Sequence, residues 1–159
     1  NLSLRHISLS TCGLVEKIYD LAELKLGLTL SVSLHAPTDE KRSAIMPVNK
    51  RYGTAELIDA CKYYFEKTGR RISFEFALIS GVNDNIETAR ELIRLLKPIS
   101  PCHVNLIPVN EIKEGPYKKS ENVKNFCSML IKGGINATVR RTLGADISAA
   151  CGQLRRDNI

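Results

Sequence analysis

The sequence predicts an α/β fold, with parallel strands in one sheet, helices packed outside it, and one domain across residues 1–159. Three observations predict it. Stretches of strand character alternate with stretches of helical periodicity along the whole chain. The segments between strands are long enough for the crossover helices that parallel neighbours require. The five strand–helix units fall short of the eight, roughly 250 residues, that close a barrel of this type. The sheet is therefore open, either as a small α/β sheet or as a portion of a larger partial (β/α) barrel. A chain that starts directly on a strand favours the second.

Residues 5–10 (RHISLS) alternate and read as the first strand, followed by a turn at Thr11-Cys12-Gly13. Leu14, Ile18, Leu21 and Ala22 then recur at helical spacing. Residues 28–34 (LTLSVSL) form the second strand. Thr38 is an N-cap for a short helix, with Lys41 where a capping box would place Glu. Residues 46–53 read as loop, because Pro47 breaks any helix. Thr54 caps a longer helix in which Leu57, Ile58, Cys61 and Phe65 share a face, and Gly69 closes it. Residues 72–79 (ISFEFALI) form the third strand and residues 80–85 a loop of turn formers. The helix of residues 86–96 stops before Pro98. Residues 102–107 (CHVNLI) are the fourth strand, and a long loop runs from 108 to 119. A helix over residues 121–131, a fifth strand over 136–142 and a short helix over 145–154 complete the chain.

The composition is that of a globular protein, with 43% hydrophobic and 25% charged residues. No apolar run approaches the roughly 20 residues of a bilayer span. The first residues carry no secretory signal. A cytoplasmic protein with no membrane partner is expected. The net charge of +6 favours a polyanionic partner, weakly. The lack of Trp and 6% aromatic content speak against a base-stacking platform. Five cysteines make an odd count without C-x2-C or C-x3-C-x2-C spacing. No metal is expected on this chain's own ligands, and Cys61 and Cys127 read as small apolar core residues.

In parallel α/β folds ligands bind at the carboxyl ends of the strands. That rule selects Ser10 to Gly13, Ser33 to His35, Ser80 and Asn83, Asn105, Pro108 and Asn110, and Arg140 to Thr142. Hydroxyls, an imidazole and amides at one rim suit a ligand with ribose and amino-acid groups; a cap or turn role is the alternative for each residue. Glu75, between Phe74 and Phe76, faces the interior if the phenylalanines face the helices. Either an ion pair or a cationic ligand would then satisfy it. His6 and His103 read as structural strand histidines. Lys118-Lys119 and Arg155-Arg156 read as solvated charge, with a phosphate-contacting surface as the alternative. Cys151 is flanked by small residues, with Arg140, Arg141 and Arg155 near in sequence to favour its thiolate, which makes it a candidate reactive cysteine.

Six segments in order carry a resemblance: SLHAP (33–37), MPVNKRY (46–52), GVND (81–84), VNLIPVN (104–110), VRRT with G and DI (139–147), and AACGQL (149–154). They closely resemble the radical-SAM RNA adenine methyltransferases, in particular the dual-specificity group acting on carbon 2 of adenine in 23S rRNA and tRNA. The resemblance implies a radical-SAM barrel that holds S-adenosylmethionine. Ser10, Ser33, Leu34, His35 and Asn110 match the family's cofactor-binding positions, and Cys151 matches its methyl-carrying cysteine.

The implied mechanism has two stages. One S-adenosylmethionine methylates Cys151. A second, cleaved at a 4Fe-4S cluster fed by an electron donor, yields a radical that activates the S-methyl group for addition to adenine. A second cysteine then releases the product. The family's cluster cysteines, Gly-Glu segment, resolving cysteine and amino-terminal RNA-binding domain match nothing in this chain. The chain is thus expected to be the carboxyl-terminal part of the catalytic domain and inactive alone. Its first strand would be an uncovered sheet edge that invites self-association. Two alternatives stand beside this reading: the adenine carbon-8 rRNA methyltransferases, which share SLH and ACGQL, and a non-catalytic RNA-binding α/β module.

Overall fold

A computed structural model describes residues 3–99, 101–109 and 117–140. Its elements run β1 (Ser8–Thr11), α1 (Val15–Glu23), β2 (Thr29–Ser33), α2 (Asp39–Ile45), α3 (Thr54–Thr68), β3 (Ile72–Leu78), α4 (Ile86–Leu96), β4 (Cys102–Pro108), α5 (Val123–Lys132) and β5 (Asn136–Val139). All neighbouring strands are parallel, and the sheet order is the chain order. This is the open sheet with outer helices that the alternation predicts.

Strand alternation gives the sheet two unlike faces. Leu30, Val32, Phe74, Phe76, Val104 and Leu106 are fully buried against the helices. Phe76 stacks on Phe126 of α5 at 5.8 Å between ring centroids. Each such side chain contributes roughly 1.5–3 kcal/mol relative to exposure. The opposite face is polar. Register places Ser10, Ser31, Ser73, His103 and Asn136 in one row across all five strands. Ser33, Glu75, Asn105 and Thr138 form the next row toward the strand ends. Parallel sheets ordinarily bury both faces behind apolar side chains. This face is polar and half-exposed instead.

Several local expectations change. Residues 5 and 6 belong to a 3-10 turn, Leu4–His6, because the Ser3 hydroxyl accepts from the Arg5 N–H; His6 is therefore exposed and outside the sheet. Pro47 starts a 3-10 turn, Pro47–Lys50, where its missing N–H has no cost. Gly53, not Thr54, caps α3, with the Glu56 carboxylate accepting from its N–H. The Thr54 N–H is taken by Asp39 at 2.6 Å. Tyr64 rather than Phe65 completes the buried face of α3, since its hydroxyl reaches the Leu28 carbonyl at 3.0 Å. Gly69 closes α3 at φ +65°, as its position predicts. Cys61 and Cys102 are buried and Cys127 is half-buried. Residues 141–154, holding the end of the predicted fifth strand and the last helix, lie outside the described residues.

Candidate functional site

The carboxyl ends of β1 and β2 are organised by one side chain that the sequence reading missed, Arg42. It projects from α2 and is fully buried. Its Nε donates to the Leu34 carbonyl at 3.1 Å, and its Nη2 to the carbonyls of Cys12 at 2.7 Å and Ser33 at 3.0 Å. Its Nη1 donates to Asn49 Oδ1 at 2.9 Å. Asn49 in turn donates to Asp39 and Ser43. Asp39, held below the usual carboxylate range chiefly by the Thr54 N–H, completes the chain of contacts. Among the described residues, no carboxylate forms an ion pair with Arg42. Strand-end carbonyl dipoles and the Asn49 amide contact the guanidinium, and the Asp39 carboxylate favours its charge from beyond Asn49.

Gly13 is part of the same construction. It adopts φ +103°, and a Cβ there would lie 3.1 Å from both Arg42 Nη2 and a Leu57 methyl. Gly13→Ala is expected to cost about 1–3 kcal/mol, from backbone strain plus crowding of the guanidinium. Urea unfolding of the variant measures it; a neutral result would show that the turn relaxes freely.

His35 follows β2 in the left-handed region, at φ +59°. Three contacts hold it there. Its N–H and that of Leu34 share the Glu75 carbonyl, at 3.3 and 3.0 Å. Its carbonyl accepts from Asn83 Nδ2 at 3.1 Å. Its ring Nδ1 accepts from the Ala77 N–H at 3.0 Å. An accepting Nδ1 carries no proton, so the neutral ring holds its proton on Nε2. Burial, then the nearby Arg42 charge, pushes the imidazole down to about 4. His35 is thus a neutral, oriented hydrogen-bond donor at physiological pH.

Ser10 and Ser33 both lie on the polar face, Ser33 two residues nearer the strand ends than Ser31, the register partner of Ser10. Leu34 points into the core and is fully buried. Its carbonyl accepts from Arg42 and Ala36, and its N–H goes to Glu75, so it spaces Ser33 from His35. Asn83, selected as a strand-end candidate, is consumed structurally: it bonds the Ile79 N–H and the carbonyls of Ala77 and His35. Glu75 faces the polar side as the flanking phenylalanines predict, and Asn105 Nδ2 donates to its Oε2 at 2.8 Å. Asn110 and Cys151 lie outside the described residues. Among the described residues, no three His, Cys, Asp or Glu side chains stand together to hold a metal ion. No helix among them is long and apolar enough to cross a membrane.

The open, sequentially ordered parallel sheet with polar strand ends is the architecture of a portion of a (β/α) barrel. Two solved structures share the fold. A radical SAM methyltransferase from Sphaerobacter thermophilus superposes with a TM-score of 0.90 at 49% identity, over 96% of this chain and 45% of that one. A domain of pyruvate-formate lyase-activating enzyme from Bacteroides vulgatus gives a TM-score of 0.64 at 15% identity and matches in fold alone. No family model matches the chain.

Sequence similarity narrows the class. The chain is 57% identical over its whole length to a probable dual-specificity RNA methyltransferase RlmN of Clostridium perfringens, covering 46% of it. It is 58% identical, again over its whole length, to the protein of that name in Alkaliphilus oremlandii, covering 47%. The chain is a relative of the dual-specificity RNA methyltransferases and spans a little under half their length.

Proposed function

We propose that this chain supplies the carboxyl-terminal part of the catalytic domain of a radical-SAM RNA methyltransferase. The complete enzyme would methylate carbon 2 of adenine in 23S rRNA and tRNA in the cytoplasm. The observation that carries this is identity above half along the entire chain to proteins named as dual-specificity RNA methyltransferases. The strand-end geometry supports it: hydroxyls at Ser10 and Ser33 and the fixed donor of His35 suit the ribose and amino-acid groups of S-adenosylmethionine. That molecule supplies the methyl group and, with the 4Fe-4S cluster held outside this chain, the radical.

This chain's own residues have narrower tasks. Ser10, Ser33, His35 and Asn110 bind and orient the cofactor, with Leu34 setting the spacing between its neighbours. Cys151 carries the methyl group, because carbon 2 of adenine is not nucleophilic and cannot take a methyl directly. Arg42 holds the loops that present Ser33 and His35.

The test uses the full-length enzyme. Mass mapping of RNA after turnover should place the new methyl on adenine carbon 2. Mass spectrometry of the protein should find a methyl group on the peptide containing Cys151. Product at carbon 8 would move the chain to the other branch of the family. An unmodified Cys151 peptide throughout turnover would remove it from the mechanism.

A further inference from the structure

Glu75 is the one carboxylate in the two polar rows of the sheet, and the fold fixes it tightly. Its carbonyl accepts from Leu34 and His35, so its backbone is tied to the second strand end. Its side chain stands in register between Ser33 and Asn105. Asn105 clamps Oε2 at 2.8 Å. Among the described residues, no Lys, Arg or His forms an ion pair with it.

Its row neighbours, Ser33, Asn105 and Thr138, are neutral, as is Ser73 in the adjoining row. His103 is held toward its neutral form by burial and the Arg71 charge, and is bonded to Thr138 at 3.0 Å. A half-buried carboxylate without a countercharge is costly, and an amide donor does not cancel its charge. The row is therefore complementary to a cation that a ligand brings.

Resting on the function proposed above, we infer that Glu75 recognises the sulfonium centre of S-adenosylmethionine, beside the Ser33 and His35 contacts. The sulfonium carries no N–H or O–H, so it offers no conventional hydrogen-bond donor, and a carboxylate's charge is what distinguishes it from the thioether. The ribose and amino-acid groups can be met by the neutral members of the site. A carboxylate at this position favours the charged methyl donor over the uncharged thioether left after methyl transfer. Spent cofactor then leaves and fresh cofactor enters, as a reaction consuming two equivalents requires.

Equilibrium dialysis on the full-length enzyme, with its cluster oxidised, tests this with S-adenosylmethionine and S-adenosylhomocysteine. Glu75→Gln keeps the shape and an acceptor for Asn105 but removes the charge. It should weaken S-adenosylmethionine about tenfold, while the thioether changes less than about twofold. Equal weakening of both ligands would show that Glu75 holds a group common to them, and no change in either would make the carboxylate structural; each result overturns the inference alone. A wild-type enzyme that binds neither ligand defeats the proposed function, and this inference with it. The wild type decides even if the variant does not fold. Sinefungin, which carries a protonated amine in place of the sulfonium, should bind about tenfold more tightly than the thioether. Equal binding of the charged and uncharged ligands overturns the inference.

Discussion

Replacing Arg42 with Ala is expected to destabilise the fold by about 4 kcal/mol, since four buried or part-buried acceptors lose their donor at once. The acceptors are the carbonyls of Cys12, Ser33 and Leu34 and the side chain of Asn49. Arg42→Lys should recover part of the loss, because an ammonium satisfies fewer of these acceptors and lacks the planar fork. Urea unfolding of both variants measures the difference. A loss below about 1 kcal/mol for Ala would mean that water reaches the carbonyls and that the guanidinium is dispensable.

Acidification should unfold the chain earlier than its carboxylates alone would, because His35 is folded into a neutral state. Its folded value is about 4, against an ordinary value of 6.5. Between those values the unfolded chain binds a proton that the folded chain refuses. Stability is therefore full above about pH 6.5 and is lost as pH falls toward 4, by on the order of 3 kcal/mol. His103, lowered by burial and Arg71, adds to the same slope. Asp39 is lowered too, but its contribution is lost only at more acidic pH. Urea titrations between pH 4 and 7 read the slope. His35→Asn should flatten it, since Asn tolerates φ near +60° and carries no titrating ring. An unchanged slope in that variant would refute the fixed neutral imidazole.

Much of this was legible in the sequence. The α4 bounds, the Thr38 and Gly69 caps and the polarity of the β3 faces follow from local chemistry, which neighbours in sequence settle between themselves. The strand-end rule picked out Ser10, Ser33 and His35 before any contact was known. Other features depended on distant partners. Arg42 looks like any helix-surface cation in MPVNKRY's upstream neighbour; nothing near it in sequence announces three carbonyls from two other strand ends. The His35 tautomer depends on an amide 42 residues away. Asn83 reads as a turn former or ligand contact until Ile79, Ala77 and His35 are seen to take both of its N–H donors and one acceptor site of its oxygen.

By itself the sequence determined the open parallel sheet, because periodicity and turn residues act over a few positions and leave no competing element. Tertiary structure alone decided which polar side chains stay available to a ligand. Hydrogen-bond partners are assigned by packing across strands: Asn83 was spent on the fold, His35 was oriented by it, and Glu75 has no ion-pair partner among the described residues.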